Sequence, residues 1–360
     1  VNAPSSGLPA TGRLAVFDRP NGPFRIAAYP LRAPQADEVL VRVRMSTICR
    51  SDIHSYQGHR PSPCPGLLGH EIVGTIVALG EAVRRDMRDA PLAVGDRITW
   101  SEYFVPGRSH AREVLDLPQK APGVDKYGHL SVDAPPHHHG GFGEYCYIRP
   151  DSWILRLPDT LSDAEATPIN CGVATMCAVL EAADVQLGQS VAIQGLGLLG
   201  LYGCALARAR GASTVIAIDG VPARRALATR FGATVASAPE EAASAARDVD
   251  VVIEVCGDPR ALVDGVDWLR PGGRYVIAGL VNPASMVTLD ANRLLRKCLT
   301  LIGVHNYHPR HLPQALAFVE ANRDRFPFRE LVDGLYPLEQ VDRAMADAAA
   351  HRVLRAAIVP

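Results

Sequence analysis

The stretch GLGLLG places Gly195, Gly197 and Gly200 in a G-x-G-x-x-G pattern between an unbroken apolar run, SVAIQ, and a helical run, LLGLYGCALARARG, that ends at Gly211. Taken alone, three such glycines more often mark an ordinary tight turn than a binding site. Their position between a strand and a helix is what constrains the fold. The backbone N–H groups at the turn and at the helix start, Leu198 and Leu199 included, can converge on a pyrophosphate. The next strand, TVIAID, ends in Asp219, at the distance where a carboxylate accepts hydrogen bonds from both adenosine ribose hydroxyls and repels a 2'-phosphate. A dinucleotide is therefore expected, NAD in preference to NADP, with Arg224 on the following helix counted in the same site.

The rest of that half repeats the alternation: the helix VPARRALATRFG, the strands VDVVIEVCG and GGRYVIAG. Strands alternating with helices imply a parallel sheet covered on both faces, an α/β, doubly wound Rossmann domain over residues 173–305. Residues 14–105 read differently, as short apolar alternations (EVLVRVRMS, EIVGTIVALG, VGDRITW) broken by Gly and Pro. That texture predicts an antiparallel, β-rich unit spanning residues 1–172, to which the tail 306–360 returns with the helical HLPQALAFVEANRD and the strand-like LRAAIVP. Residues 106–141 show no stable period and are expected to form a long loop.

With 360 residues the chain is long enough for two cores, and its 37 basic and 38 acidic side chains leave a net charge of -1. That balance gives no reason to expect a nucleic acid or membrane partner. No apolar run reaches the ~20 residues of a membrane span, and the opening VNAPSSGLPATGR lacks the order of a signal peptide. A cytoplasmic protein with a small-molecule substrate is expected. Eight cysteines are too few for a disulfide scaffold of this length and suit a reducing compartment.

Cys49 in TICRSDIH, His70 in GHEIVG and Cys171 in PINCGVAT could each be a packing or turn residue. Together they make the Cys2His donor set of a catalytic zinc, three protein ligands with a fourth position open. Asp52 and Glu71 are the carboxylates that could orient the histidine or take the fourth position.

The segments CRSDIH, GHEIVG, VGDRI, GGFGEY, CGVAT and GLGLLG, with Asp219, occur in an order and spacing that resembles the zinc-dependent alcohol dehydrogenases of the medium-chain dehydrogenase/reductase superfamily. The resemblance covers nearly the whole chain. It implies a Rossmann domain inserted into a GroES-like, β-rich catalytic domain, and hydride transfer between NAD and an alcohol or carbonyl compound. By the same resemblance, Cys49, His70 and Cys171 ligate the catalytic zinc with Glu71 behind it, and Ser51 touches the substrate oxygen. His54 ends a proton relay, Arg50 and Arg355 meet the pyrophosphate, and Thr175 packs on the nicotinamide. Members associate as homodimers or homotetramers.

The chain also departs from that pattern. Many members carry a structural zinc on four cysteines after the GDR motif, yet Val105–Ala121 contains no cysteine, so one zinc per chain and no structural zinc are expected. Arg60 and Glu102, with Trp100 nearby, stand where members acting on simple alcohols carry large apolar side chains. An arginine there would suit an anionic substrate. LPQKAPGVDKYGH and GVHNYHP are similar to a bacterial subgroup associated with phosphonate catabolism, which makes a hydroxyalkyl phosphonate a candidate. Arg60 could equally face solvent. His137, His138 and His139 are expected in a solvated loop. The alternatives are a zinc-free reductase of the superfamily and a non-catalytic NAD-binding protein on the same fold.

Overall fold

The computed structural model describes residues 7–281 and 285–360. The first six residues of the opening stretch lie outside the described residues. The chain divides into two compact units. One takes the chain up to Cys171 together with His308–Glu320 and Phe328–Pro360; the other takes Gly172–Tyr307 and Ala321–Pro327. Ala321–Pro327, expected with the first unit, sits with the second, where the ring of Phe326 stacks on Phe231 at 6.4 Å.

The first unit is organised around the strand Val39–Thr47, whose pattern VLVRVRMST buries Val41 and Val43 and exposes Arg42 and Arg44. This alternation is that of a sheet with one wet face. Val39–Thr47 pairs antiparallel with Glu71–Leu79 from Thr47 opposite Glu71 to Val39 opposite Leu79, so the metal-ligand candidates at the ends of these strands are neighbours by register. The C-terminal strand Ala356–Val359 also pairs antiparallel with Val39–Thr47, which is how the tail returns. Val39, Val41, Ile72, Ile76, Ile98, Trp100 and Tyr127 belong to the core beneath this sheet.

Residues 106–141 are more structured than a loop reading predicts. They contain the short helix His110–Glu113 and the strand Asp125–Lys126, which pairs with Tyr103–Phe104 as a ribbon. In place of thiolates, the lobe that lacks cysteines is tied by Asp116 to Arg310 (2.8 Å) and His308 (3.0 Å), and Arg112 lies over the Trp153 ring at 5.6 Å. The three consecutive histidines are not solvated as expected. His138 and His139 are buried, their Nε2 atoms facing the carbonyls of Tyr29 and Ala134, and His137 Nδ1 faces the carbonyl of Val132.

Burial holds the rings of His138 and His139 neutral, lowering each to about 4. Because the folded value is depressed, the unfolded chain binds more protons than the folded one between about pH 6.5 and 4. Stability is thus complete above that window and lost as pH falls through it. At pH 5 the loss is about 2 kcal/mol for each ring. Urea unfolding at pH 7 and pH 5 should therefore show a drop in stability that shrinks in a His138→Gln/His139→Gln variant; an equal drop in both proteins would contradict the assignment.

In the second unit, six parallel strands run in the spatial order Val235–Ser237, Thr214–Ile218, Ser190–Gln194, Val249–Glu254, Leu269–Ile277, Thr300–Gly303. Numbered within the unit this is 3-2-1-4-5-6, the doubly wound dinucleotide-binding order. The strand interiors are almost entirely buried, as expected for a parallel sheet covered by helices. Among the described residues no single helix is long and apolar enough to cross a membrane.

Candidate metal centre and cofactor site

Cys49 ends the turn after Val39–Thr47 and begins the helix Arg50–Tyr56; His70 leads directly into Glu71–Leu79. Two interactions lock these chain segments together. Asp52 accepts from the Cys49 N–H at 2.8 Å and from the Gly69 N–H at 3.0 Å. Asn170, unnoticed in the sequence, donates through Nδ2 to the carbonyls of His70 and Trp100, both at 2.9 Å, and so positions the adjacent Cys171. Donor atoms of Cys49, His70, Glu71 and Cys171 consequently lie within 4.8 Å of one another.

The chemistry of the donors fits a divalent metal. His70 Nδ1 lies 3.3 Å from Asp52, leaving Nε2 to face the cluster, the carboxylate–histidine arrangement usual behind a metal ligand. Cys171 hydrogen-bonds Cys49, holding the Cys49 thiol well below its usual value while its own is raised, and burial opposes ionisation of both. Burial and Lys126 also oppose charging of His70, yet Asp52 and Cys49 outweigh them and lift it to about 10. Two thiols and an imidazole converging in one cluster are a donor set suited to a divalent metal. Zinc would be held by Cys49, His70 and Cys171.

Glu71 stands behind this set. Thr47 Oγ1 donates to one of its oxygens, and Arg355 lies 3.3 Å from the other. Burial raises Glu71 to about 7 against the opposing charge of Arg355. Arg355 is itself buried and donates to the Ile48 carbonyl at 2.8 Å. The guanidinium expected on a pyrophosphate is thus committed to Glu71 and Ile48. Arg50 is exposed, 3.2 Å from His351.

Ser51 Oγ lies 3.4 Å from His70 Nε2. His54 follows three residues later, on the same face of the helix. Its ring is half-buried and its charged form is disfavoured by burial and by Arg50.

The residues expected to line a substrate pocket are divided by the structure. Arg60 is exposed. Trp100 is fully buried in the core against Tyr127, at 5.9 Å between rings, because its strand turns that face inward. Glu102 is at the metal cluster, 3.5 Å from His70 Nε2, and is ion-paired with Lys126 at 2.8 Å. Lys126 and the neighbouring His129, whose ring stands edge-on to His70 at 5.6 Å, were not singled out by the sequence. Their stretch LPQKAPGVDKYGH was notable only as a resemblance; nothing in its periodicity shows that it folds back onto His70.

In the second unit the glycine motif has the geometry of a phosphate cradle. Gly195 adopts φ +97°, open to glycine, and a side chain there would press on Cys256. Gly197, the helix N-cap, has open space where a side chain would stand, whereas a Cβ on Gly200 would lie 1.8 Å from the Gly195 carbonyl oxygen. These are the three roles of the fingerprint: turn, ligand approach, and close packing of helix on strand. The N–H groups of Leu198 and Leu199 open the helix Leu198–Ala209. Asp219 directly follows the strand Thr214–Ile218, accepts from the N–H groups of Leu196 (2.7 Å) and Val221 (2.8 Å), and lies 3.7 Å from Arg224. Thr175 is on the helix Gly172–Ala183 of this unit.

Comparison with known proteins agrees with both units. Residues 35–159 match the alcohol dehydrogenase GroES-like domain and residues 199–321 the zinc-binding dehydrogenase model. Sorbitol dehydrogenase of Bacillus subtilis is 30% identical, with 90% of each chain covered. 5-exo-hydroxycamphor dehydrogenase of Pseudomonas putida is 29% identical, covering 88% of this chain and 90% of its own. An alcohol dehydrogenase of Thermotoga maritima superposes with a TM-score of 0.93 at 26% identity, over 97% of this chain and 99% of its own. With a GroES-like unit, a Rossmann unit and relatives matched over nine-tenths of their length, the chain belongs to the zinc-binding alcohol dehydrogenases of the medium-chain dehydrogenase/reductase superfamily.

Proposed function

We propose that this protein is a zinc- and NAD-dependent oxidoreductase that moves a hydride between NAD(H) and a small polar alcohol or its carbonyl counterpart, with one zinc per chain. The observation that carries the reading is the convergence of Cys49, His70 and Cys171 with Asp52 on the far nitrogen of His70. When bound, zinc supplies Lewis acidity that lowers the pKa of an alcohol hydroxyl. In this reading Ser51 takes up the hydroxyl proton and His54 passes a proton on to water. Asp52 fixes the His70 ring, and the Glu71–Arg355 ion pair stands behind the ligands. Metal analysis alongside NADH formation tests the reading: one zinc per chain with turnover supports it, and turnover undiminished after zinc removal contradicts it.

The preference for NAD rests on Asp219, whose carboxylate opposes a 2'-phosphate. The Michaelis constant for NAD should be the lower of the two, and Asp219→Ala should narrow the gap by about tenfold, one strong hydrogen-bonded contact. A lower constant for NADP in the unaltered protein contradicts this.

An anionic substrate such as a hydroxyalkyl phosphonate is the second reading. It is favoured by the resemblance of LPQKAPGVDKYGH and weakened by the exposure of Arg60. We also propose self-association through the outer strand Thr300–Gly303 of the Rossmann sheet, near which Leu295 is exposed. Light scattering should give a dimer or tetramer mass, and a monomer at micromolar concentration excludes it.

A further inference from the structure

Glu254 is the last residue of the fourth Rossmann strand and is fully buried. In the register it stands opposite Gln194, the residue before the glycine turn, on one side and Ile277, the end of the fifth strand, on the other. Strand order reverses between the first and fourth strands, and the crevice outside their carboxyl ends is where a doubly wound sheet takes its ligand. The Glu254 carboxylate ties together the two loops that leave the fourth and fifth strands. Its Oε1 accepts from the Gly257 N–H at 2.6 Å and its Oε2 from the Gly279 N–H at 3.0 Å. The Glu254 carbonyl also accepts from the N–H groups of Ala278 and Gly279, both at 3.0 Å. The loops are correspondingly close: a Cβ on Gly279 would lie 2.4 Å from Glu254 Oε1 and 2.8 Å from the Gly257 nitrogen.

Among the described residues no basic side chain forms an ion pair with Glu254. A buried carboxylate held by backbone N–H groups is costly, and an apolar residue at a strand end would serve the core better. Its position gives the group a use. Asp219 follows the second strand, so the adenosine half of a dinucleotide lies over the first and second strands, and its other nucleotide has to lie over the ends of the fourth and fifth. We propose that Glu254 is a positioning residue for the nicotinamide nucleotide: it holds the loops at Gly257 and Gly279 as one floor beneath that half of the cofactor and acts through them. This rests on the dinucleotide reading. The glycine turn is held independently, since the Val255 N–H donates to the Gln194 carbonyl at 2.9 Å and the Gly195 N–H to the Ile218 carbonyl at 2.8 Å.

Calorimetry on the full chain with NADH and, separately, with ADP tests this, because ADP engages the glycine turn and Asp219 but carries no nicotinamide. Glutamine offers one acceptor oxygen for the two N–H groups. Glu254→Gln should therefore bind NADH about tenfold more weakly, the weight of one charge-assisted hydrogen bond, and ADP within about twofold of the unaltered chain. The Michaelis constant for NAD should rise in step with the NADH loss. Gly279→Ala keeps the carboxylate but wedges the same loops apart, so it should show the same selective loss, and it decides the question if Glu254→Gln does not fold. A residue that merely supports the sheet would weaken both ligands alike. Equal losses of NADH and ADP, or undiminished NADH binding, overturn the proposal and leave the dinucleotide reading standing. An unaltered chain that does not bind NADH overturns both.

Discussion

Replacing Cys171 with alanine removes zinc and dehydrogenase activity together, with kcat/KM falling by about a thousandfold or more while NADH still binds. The three donors reach the cluster from three separate parts of the chain: Cys49 at a helix start, His70 at a strand start and Cys171 at the end of the Thr167–Asn170 turn. A metal left with one thiolate and one imidazole loses a charge-bearing bond, and Glu71 is already engaged by Thr47 and Arg355. Several kcal/mol of transition-state stabilisation disappear with the ion. The glycine cradle and Asp219 belong to the other unit and its own sheet, so nicotinamide binding should survive. Metal analysis and NADH fluorescence titration on one preparation check both halves. A variant that keeps its zinc and turns over normally removes Cys171 from the ligand set.

Gly128→Ala should destabilise the first unit by about 3 kcal/mol and lower its zinc affinity. Gly128 adopts φ +66°, and a Cβ there would lie 2.5 Å from the Gly69 carbonyl oxygen, a backbone atom one residue before His70. Left-handed backbone strain costs about 1–2 kcal/mol for an alanine, and overpacking against atoms that cannot rotate away adds 1–3 kcal/mol. Relief by moving Gly69 would displace His70, and relief by moving Gly128 would displace Lys126 and His129. Gly123→Ala serves as the control. Its φ is also positive, at +73°, but the nearest atom to a Cβ is Pro106 Cγ at 3.5 Å, so it should lose only the backbone term. Chemical unfolding and zinc competition with a chelator measure the two effects, and equal losses at Gly123 and Gly128 would falsify the close-approach explanation.

Much of this could be read from the residues alone. The Rossmann unit was legible because its signals are local: an apolar strand, a glycine turn and a helix contiguous at 190–211, then an acid at the end of the next strand. The metal set was legible for a different reason, since only a few residue types ligate zinc. The pocket was not. Trp100 and Glu102 are two residues apart with opposite fates, one sealed in the core and the other at the ligands. That difference depends on how the ribbon Tyr103–Phe104 leaves the sheet, which is a long-range pairing with Asp125–Lys126. The histidine run misled because polarity suggested solvent, whereas backbone carbonyls of Tyr29, Val132 and Ala134 meet the rings inside the fold.

The sequence by itself determined the two-unit α/β architecture, the dinucleotide cradle and the candidate metal donors, because each follows from residue type and spacing within short windows. Only the tertiary structure decided that Arg355 serves Glu71, that Asn170 clamps His70, and that Lys126, Glu102 and His129 gather beside His70. Asn170 and His70 are 100 positions apart in the chain. Contacts at that range are set by how strands pair and cores close, and no local pattern of side chains encodes them.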